Sequence, residues 1–260
     1  MKKNLYYRTA VRRRNAIKEF IFDLFLTFCS APRLSLEVFV RKNLGERYFS
    51  LMTACIIVSF LGLLPLRFAF GFLSFNRYGM GSEFDILDFM LHYLTWYLYL
   101  AGFIAMCIDR RNEIKHLPSV FDFGRYSLSA GSIHPRFLDY QPYGKRLSVR
   151  TIETMIEPGF FLLIGLVLCL LQQRIGVVIV ISSICYSLSY LGAYHRGDNF
   201  VMDQIDELIC NEELTASFIE GLAPNETRGI NYYGRKPADP DLRRRLAENF
   251  IQDDDIAEAQ

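Results

Sequence analysis

Four apolar blocks, each near the length of a bilayer crossing, constrain this chain more than any other feature. About 30 Å of hydrocarbon takes roughly 20 residues of helix. A spanning segment must satisfy its own backbone hydrogen bonds, and the many short alternating segments of a barrel are not present in the sequence, so helix is the expected form. The first block, Phe49 to Leu66, holds no charge and runs on through Arg67 into FAFGFLSF, giving a span over about 49–73 with Pro65 and Arg67 near its far end. The second, 87–108, carries Asp88 and His92 near its start. The third, Pro158 to Leu171, is short, and Ile152 to Glu157 lead into it as an interfacial turn, for a span over about 156–171. The fourth, 175–194, is twenty residues without a charge. Only Gln172, Gln173 and Arg174 separate it from the third, so residues 152–194 read as a tight hairpin.

Basic residues near membrane ends are retained on the cytoplasmic side. Residues 1–48 hold eleven Lys and Arg and residues 109–150 hold eight, whereas 71–86 offers only Arg77 and the hairpin only Arg174. Both alternating sides agree, which places the two termini in the cytoplasm and suits a multi-pass protein of a bacterial inner membrane. A hydrophobic content of 51% over 260 residues fits this class. An export signal is rejected for FIFDLFLTFCSA, because the charged leader is long, Asp23 interrupts the run and Pro32 follows the small-residue site. Six cysteines (Cys29, Cys55, Cys107, Cys169, Cys185, Cys210) lie in or beside apolar segments without paired spacing, and read as small buried hydrophobes rather than as disulfides or metal ligands. No metal and no cofactor is expected.

The flanks carry their own patterns. Ahead of the Ala31-Pro32 break, Ile17, Phe20, Ile21, Leu24, Phe25 and Phe28 recur at helical spacing beside Arg12, Arg13, Arg14 and Lys18. This predicts an N-terminal amphipathic helix in the cytoplasmic interface, with those four basic residues on anionic lipid; packing of the helix on the rest of the chain is the alternative, and nucleic acid is not expected. The cytoplasmic loop, 109–151, is rich in Gly, Pro, Ser and aromatics and is expected to pack on the membrane domain, the tail or a partner. Over 195–222, Val201, Ile205, Leu208, Ile209, Ile219 and Leu222 form an apolar stripe broken by Glu212, which predicts an amphipathic cytoplasmic helix beginning after Gly197. Docking on a partner and folding back on the chain's own loop compete for that stripe. Residues 223–260 are polar and read as disordered. Residues 1–48 carry a balance of +7 and residues 195–260 one of −8, so the basic end is expected at the membrane surface and the acidic end free for a partner.

The expected fold class is thus an all-α integral membrane protein: four transmembrane helices, N-terminal interfacial amphipathic helices and a C-terminal cytoplasmic helix. Its one ionisable cluster opens the second span, where Asp85, Asp88 and His92 share a helical face and Arg67 lies at a matching depth. Such groups are costly in a membrane and suggest proton or ion handling; a structural pairing of Arg67 with an aspartate is the plainer account. In the fourth span, Tyr186, Tyr190 and Tyr194 with Ser182, Ser183, Ser187 and Ser189 could line a path, although hydroxyls more often join helices. Phosphate-loop, His-Glu-x-x-His and Gly-x-Ser-x-Gly patterns are absent from the sequence, and no residue is singled out as catalytic.

Three functions are weighed. A non-enzymatic scaffold or assembly subunit, bound to membrane lipids and to a protein partner or a second copy, uses most of the unusual features and would suit a bacterial secretion or DNA-transfer machine. A small transporter or channel would use the Asp88/His92 face. A lipid-modifying enzyme would rest on His195, Asp198 and the basic loop.

Overall fold

A computed structural model describes residues 3–4, 6–12, 15–69, 93–141 and 144–252. Helix accounts for 71% of the described residues, so the fold is all-helical. Strand geometry among the described residues is confined to a two-residue antiparallel pairing of β1 (Lys3–Asn4) with β2 (Ile251–Gln252) and one bridge between Lys42 and Ser132. The chain forms two compact units, Phe22–Gly192, and Met1–Ile21 together with Ala193–Gln260.

In the larger unit, α1 (Ala16–Val40) enters as one continuous helix with Pro32 inside it, where the sequence suggested two stretches and a break. Next come α2 (Leu51–Ala69), α3 (Leu94–His116), the single turn α4 (Pro135–Leu138), α5 (Val149–Leu170) and α6, which begins at Ile175. Helix α3 stops where Leu117 turns extended ahead of Pro118, as the clash before a proline requires. Helix α5 starts on Ser148, whose Oγ accepts the Thr151 amide at 3.1 Å. It ends in a Schellman turn: Gln172 sits at φ 59°, its amide donates to Cys169 O at 2.9 Å, and Gln173 N donates to Leu168 O at 2.8 Å.

Two of the described helices, Val149–Leu170 and Ile175–Glu220, are long and apolar enough to cross a membrane. The other two expected spans do not qualify. The apolar stretch of α2, Leu51–Pro65, is shorter than a span, and α3 runs on into the charged Asp109–Lys115, with 87–92 of that block outside the described residues. The third block, short by sequence, qualifies because the helix extends back to Val149, partly as a wide π-turn over Ile152–Ile156, in place of an interfacial turn.

The α5–α6 hairpin is held backbone to backbone. A Cβ added at Gly176 would lie 2.7 Å from Gly165 O and 2.7 Å from Cys169 N, so only glycine allows this approach. Pro158 cannot donate to the Thr154 carbonyl one turn back, and Ser187 Oγ on α6 donates to that carbonyl at 2.6 Å instead. Ser183 Oγ donates to Pro158 O at 2.6 Å. The hydroxyl stripe of the fourth block therefore joins helices.

The smaller unit pairs the N-terminus with the continuation of α6 to Glu220. The expected start after Gly197 is absent: the helix passes through that glycine and stops at Gly221, which takes φ 78°. Tyr6 and Tyr7, around a π-turn at Tyr7–Val11, pack with Cys210, Leu214, Phe218 and Ala247 into a small core. Tyr232 stacks on Tyr6 with centroids 5.1 Å apart. The tail expected to be disordered contains α7 (Pro240–Phe250), and Arg243 Nη1 donates to Ile219 O at 2.8 Å.

Candidate functional site

A network of buried charged and phenolic side chains in the larger unit comes from three separated segments. Glu37 and Arg41 sit one turn apart at the end of α1, Glu153 and Glu157 one turn apart at the start of α5, and Tyr186 and Tyr190 one turn apart on α6. In each pair the i, i+4 spacing sets both side chains on one helical face. Arg41, Glu157 and Glu37 have fully buried side chains. Burial of this kind is costly unless the charges are paired.

The pairing forms a continuous chain. Arg41 donates to Glu157 Oε2 through Nη2 at 2.5 Å and Nε at 3.0 Å, and Nη2 also reaches Glu153 Oε1 at 3.1 Å. Tyr186 adds its hydroxyl to Glu157 Oε2 at 2.6 Å. Arg41 Nη1 donates to the Tyr190 hydroxyl at 2.5 Å, and that hydroxyl donates onward to Glu37 Oε1 at 2.7 Å. The second Glu37 oxygen accepts from Tyr48. The Tyr48 hydroxyl accepts from Arg33 Nη2 at 2.7 Å, and Arg33 Nη1 donates to Ser189 Oγ at 2.7 Å. A phenol therefore stands between guanidinium and carboxylate at two points. Arg41 also lies over the Tyr190 ring at 4.7 Å, and Arg33 at 5.0 Å.

Electrostatics follow from this lattice. Burial works against a charge on Arg33 and Arg41, yet the pKa of each is held above the ordinary value, by Glu37 for Arg33 and by the phenols of Tyr186 and Tyr190 with Glu157 for Arg41. Burial, with Glu37 beside it, pushes the Tyr48 phenol up. Two guanidiniums meet three carboxyls here, and Glu157 Oε1 is buried without a hydrogen-bond partner. The chemistry is that of a clamp: apart from Glu157 Oε1 and Arg33 Nε, the donors and acceptors named are spent on one another, and charge links α1, α5 and α6.

Around the same end, Arg110 Nε on α3 donates to Val38 O at 3.2 Å, and Asn43 N donates to Glu113 Oε2 at 3.3 Å. The loop after α3 is pinned there by its backbone: Gly45 N donates to Ser129 O at 2.8 Å, and Arg47 N to Ser127 O at 2.9 Å. Its aromatics divide. Phe137 meets Phe160 edge to face at 5.9 Å, whereas Phe121 and Phe123 are exposed. At the start of α3, Arg174 from the hairpin turn donates to the Tyr93 hydroxyl at 2.5 Å, and Thr95 Oγ1 to Gln173 Oε1 at 2.6 Å. Trp96 is buried and donates to Leu61 O at 2.9 Å.

Of the residues singled out by sequence, Asp85, Asp88 and His92 and the side chain of Arg67 lie outside the described residues, as do Arg13 and Arg14. Arg12 is not presented to a membrane surface alone: it pairs with Asp203 of the acidic segment, and Arg8 pairs with Glu207 at 3.4 Å. Lys18 is exposed at the start of α1, where its amide donates to Asn15 Oδ1 at 3.1 Å. Val201, Ile205 and Leu208 are 55%, 49% and 50% exposed, while Ile209, Ile219 and Leu222 are half-buried. The face that is covered is a different one, Glu207, Cys210, Leu214 and Phe218. No cluster of metal-ligating side chains occurs among the described residues.

Sequence reasoning passed over Arg33, Glu37, Arg41, Tyr48, Glu153 and Glu157. The available signal was a charged pair at i, i+4 within the apolar LSLEVFVRK and a second such pair just ahead of PGFFLLIG. No protein-family model matches the chain, and no curated protein or solved structure matches it.

Proposed function

We propose that this chain is a non-enzymatic membrane scaffold: four helices in a bacterial inner membrane, both termini in the cytoplasm, and a cytoplasmic module that recruits a protein partner, as an assembly subunit of a secretion or DNA-transfer machine would. The observation that carries it is the two-faced end of α6. One face is locked under Tyr6 and Tyr7, and the opposite face leaves Val201, Ile205 and Leu208 uncovered. A contiguous apolar strip of this kind on a folded module is typical of a docking surface for another protein. The clamp supports a scaffold by fixing helix register without a movable charge.

Alternating helices are supported by which ends meet. The start of α3 touches the α5–α6 turn, and the end of α3 touches the end of α1. With the basic loop on the cytoplasmic side, this order puts the hairpin turn outside.

The test is crosslinking followed by pull-down from native membranes, comparing the full-length chain with Ile205→Asp/Leu208→Asp. A partner recovered with the native chain and lost with the double variant is expected. A monodisperse monomer that retains nothing, or a partner indifferent to the variant, overturns the reading. Cysteine labelling of residues 171–174 from the outside checks the topology on its own.

A further inference from the structure

We infer that the larger unit holds an acidic phospholipid in a groove between α1, α4 and α5. The groove encloses about 730 Å³. Phe39, Met155, Phe160 and Leu163 give it apolar walls, and His134 and Arg136 line it as well. The walls continue into the exposed apolar flank of α5, where Leu166 and Val167 follow Leu163 along the helix. Arg136 is exposed, the same loop brings Lys145 and Arg146 before α5 begins, and Arg150 lies in the first turn of α5. Acyl chain against apolar walls and phosphate against a guanidinium is the complementarity of an acidic lipid. A phosphate contact at Arg136 is one-sided in charge: among the described residues no carboxylate lines the groove. Gly159 lines it too, and a Cβ at Gly159 would meet nothing within 4 Å, so the floor has room for a chain.

The inference rests on the membrane reading, and the experiment separates the two. The purified full-length protein is placed in nanodiscs containing phosphatidylglycerol or phosphatidylcholine, each with a diazirine on one acyl chain, and labelled peptides are mapped by mass spectrometry. Phosphatidylglycerol is expected to label Met155 to Leu163 and Phe137 preferentially, and Arg136→Glu to reduce that labelling about fivefold, the factor that about 1 kcal/mol per basic group implies. Gly159→Phe, which fills the groove without touching the charge, should reduce labelling from both lipids at those positions while leaving Leu166 and Val167 labelled. Equal labelling by the two lipids, or no change with Arg136→Glu and Gly159→Phe, overturns the groove. Loss of labelling at Leu166 and Val167 in the native chain overturns the membrane reading itself. Added glycerol 3-phosphate should leave the pattern unchanged; competition by it would mean a free phosphate compound is the ligand.

Discussion

Arginine meets carboxylate in both units, under opposite conditions. In the larger unit Arg41 and Glu157 are fully buried, whereas in the smaller one Arg12 and Asp203 are each 33% exposed and Arg228 and Glu212 are 55% and 63% exposed. Water can replace a lost partner in the second case and not in the first. The same pair type is therefore a structural keystone in one unit and a weak trim in the other, whose cohesion comes from Tyr6, Tyr7, Leu214 and Phe218.

The sharpest way to break this contrast is Arg41→Ala, which strands Glu157 in the interior and is expected to destabilise the larger unit by about 3–5 kcal/mol. Unfolding of the purified protein in mixed micelles measures it. Arg41→Met combined with Glu157→Leu should recover most of the loss, because an apolar pair of similar volume carries no desolvation cost. An Arg41→Ala loss under about 1 kcal/mol would put the buried pair on a level with the exposed ones.

Next in size is Phe218→Ala, expected to cost about 3 kcal/mol by leaving a cavity in a small core. Hydrogen exchange should rise over 199–220 and 232–247 and stay unchanged over 152–170. Spread of the change into α5 would show that the two units do not melt separately. A third substitution, Gly176→Val, forces a side chain into the Gly165 and Cys169 backbone and should cost about 2 kcal/mol. A cost near zero would mean that the hairpin can open there without losing its contacts.

The smallest effect is expected from Arg228→Ala. Arg228 and Glu212 are exposed, so the change should be the smallest of the four and vanish in high salt. A salt-insensitive loss as large as that of Arg41→Ala would erase the distinction between the units.

How much of this could be read from sequence varied along the chain. The helices of 152–194 and the amphipathic helix beyond 195 follow from composition and period, which are local properties. The choice of buried face over 195–222 was not local. Both Val201/Ile205/Leu208 and Cys210/Leu214/Phe218 are apolar at helical spacing, and the N-terminal Tyr6 and Tyr7 covered the second set. Their selection depends on residues 200 positions away. Pro32 was read as a break, yet α1 continues through it. The clamp was illegible for a further reason. Each of its charges has a sufficient local explanation as the flank of an apolar run, and only the meeting of α1, α5 and α6 turns those flanks into one network. The Asp85/Asp88/His92 cluster, which the sequence did single out, lies outside the described residues.

The separation of Arg41 from Glu157 also sets a schedule. The two residues are 116 positions apart, and Glu157 is the later made. At about 5–20 residues per second of synthesis, Arg41 waits roughly 6–23 s for its carboxylate. A nascent chain halted before Glu153 lacks both carboxyls that Arg41 Nη2 binds, so α1 reaches its final seat only once the hairpin has emerged. The first-made helix of the larger unit is thus locked by one of its last-made helices, and completion of the unit is announced by the pairing of a single guanidinium.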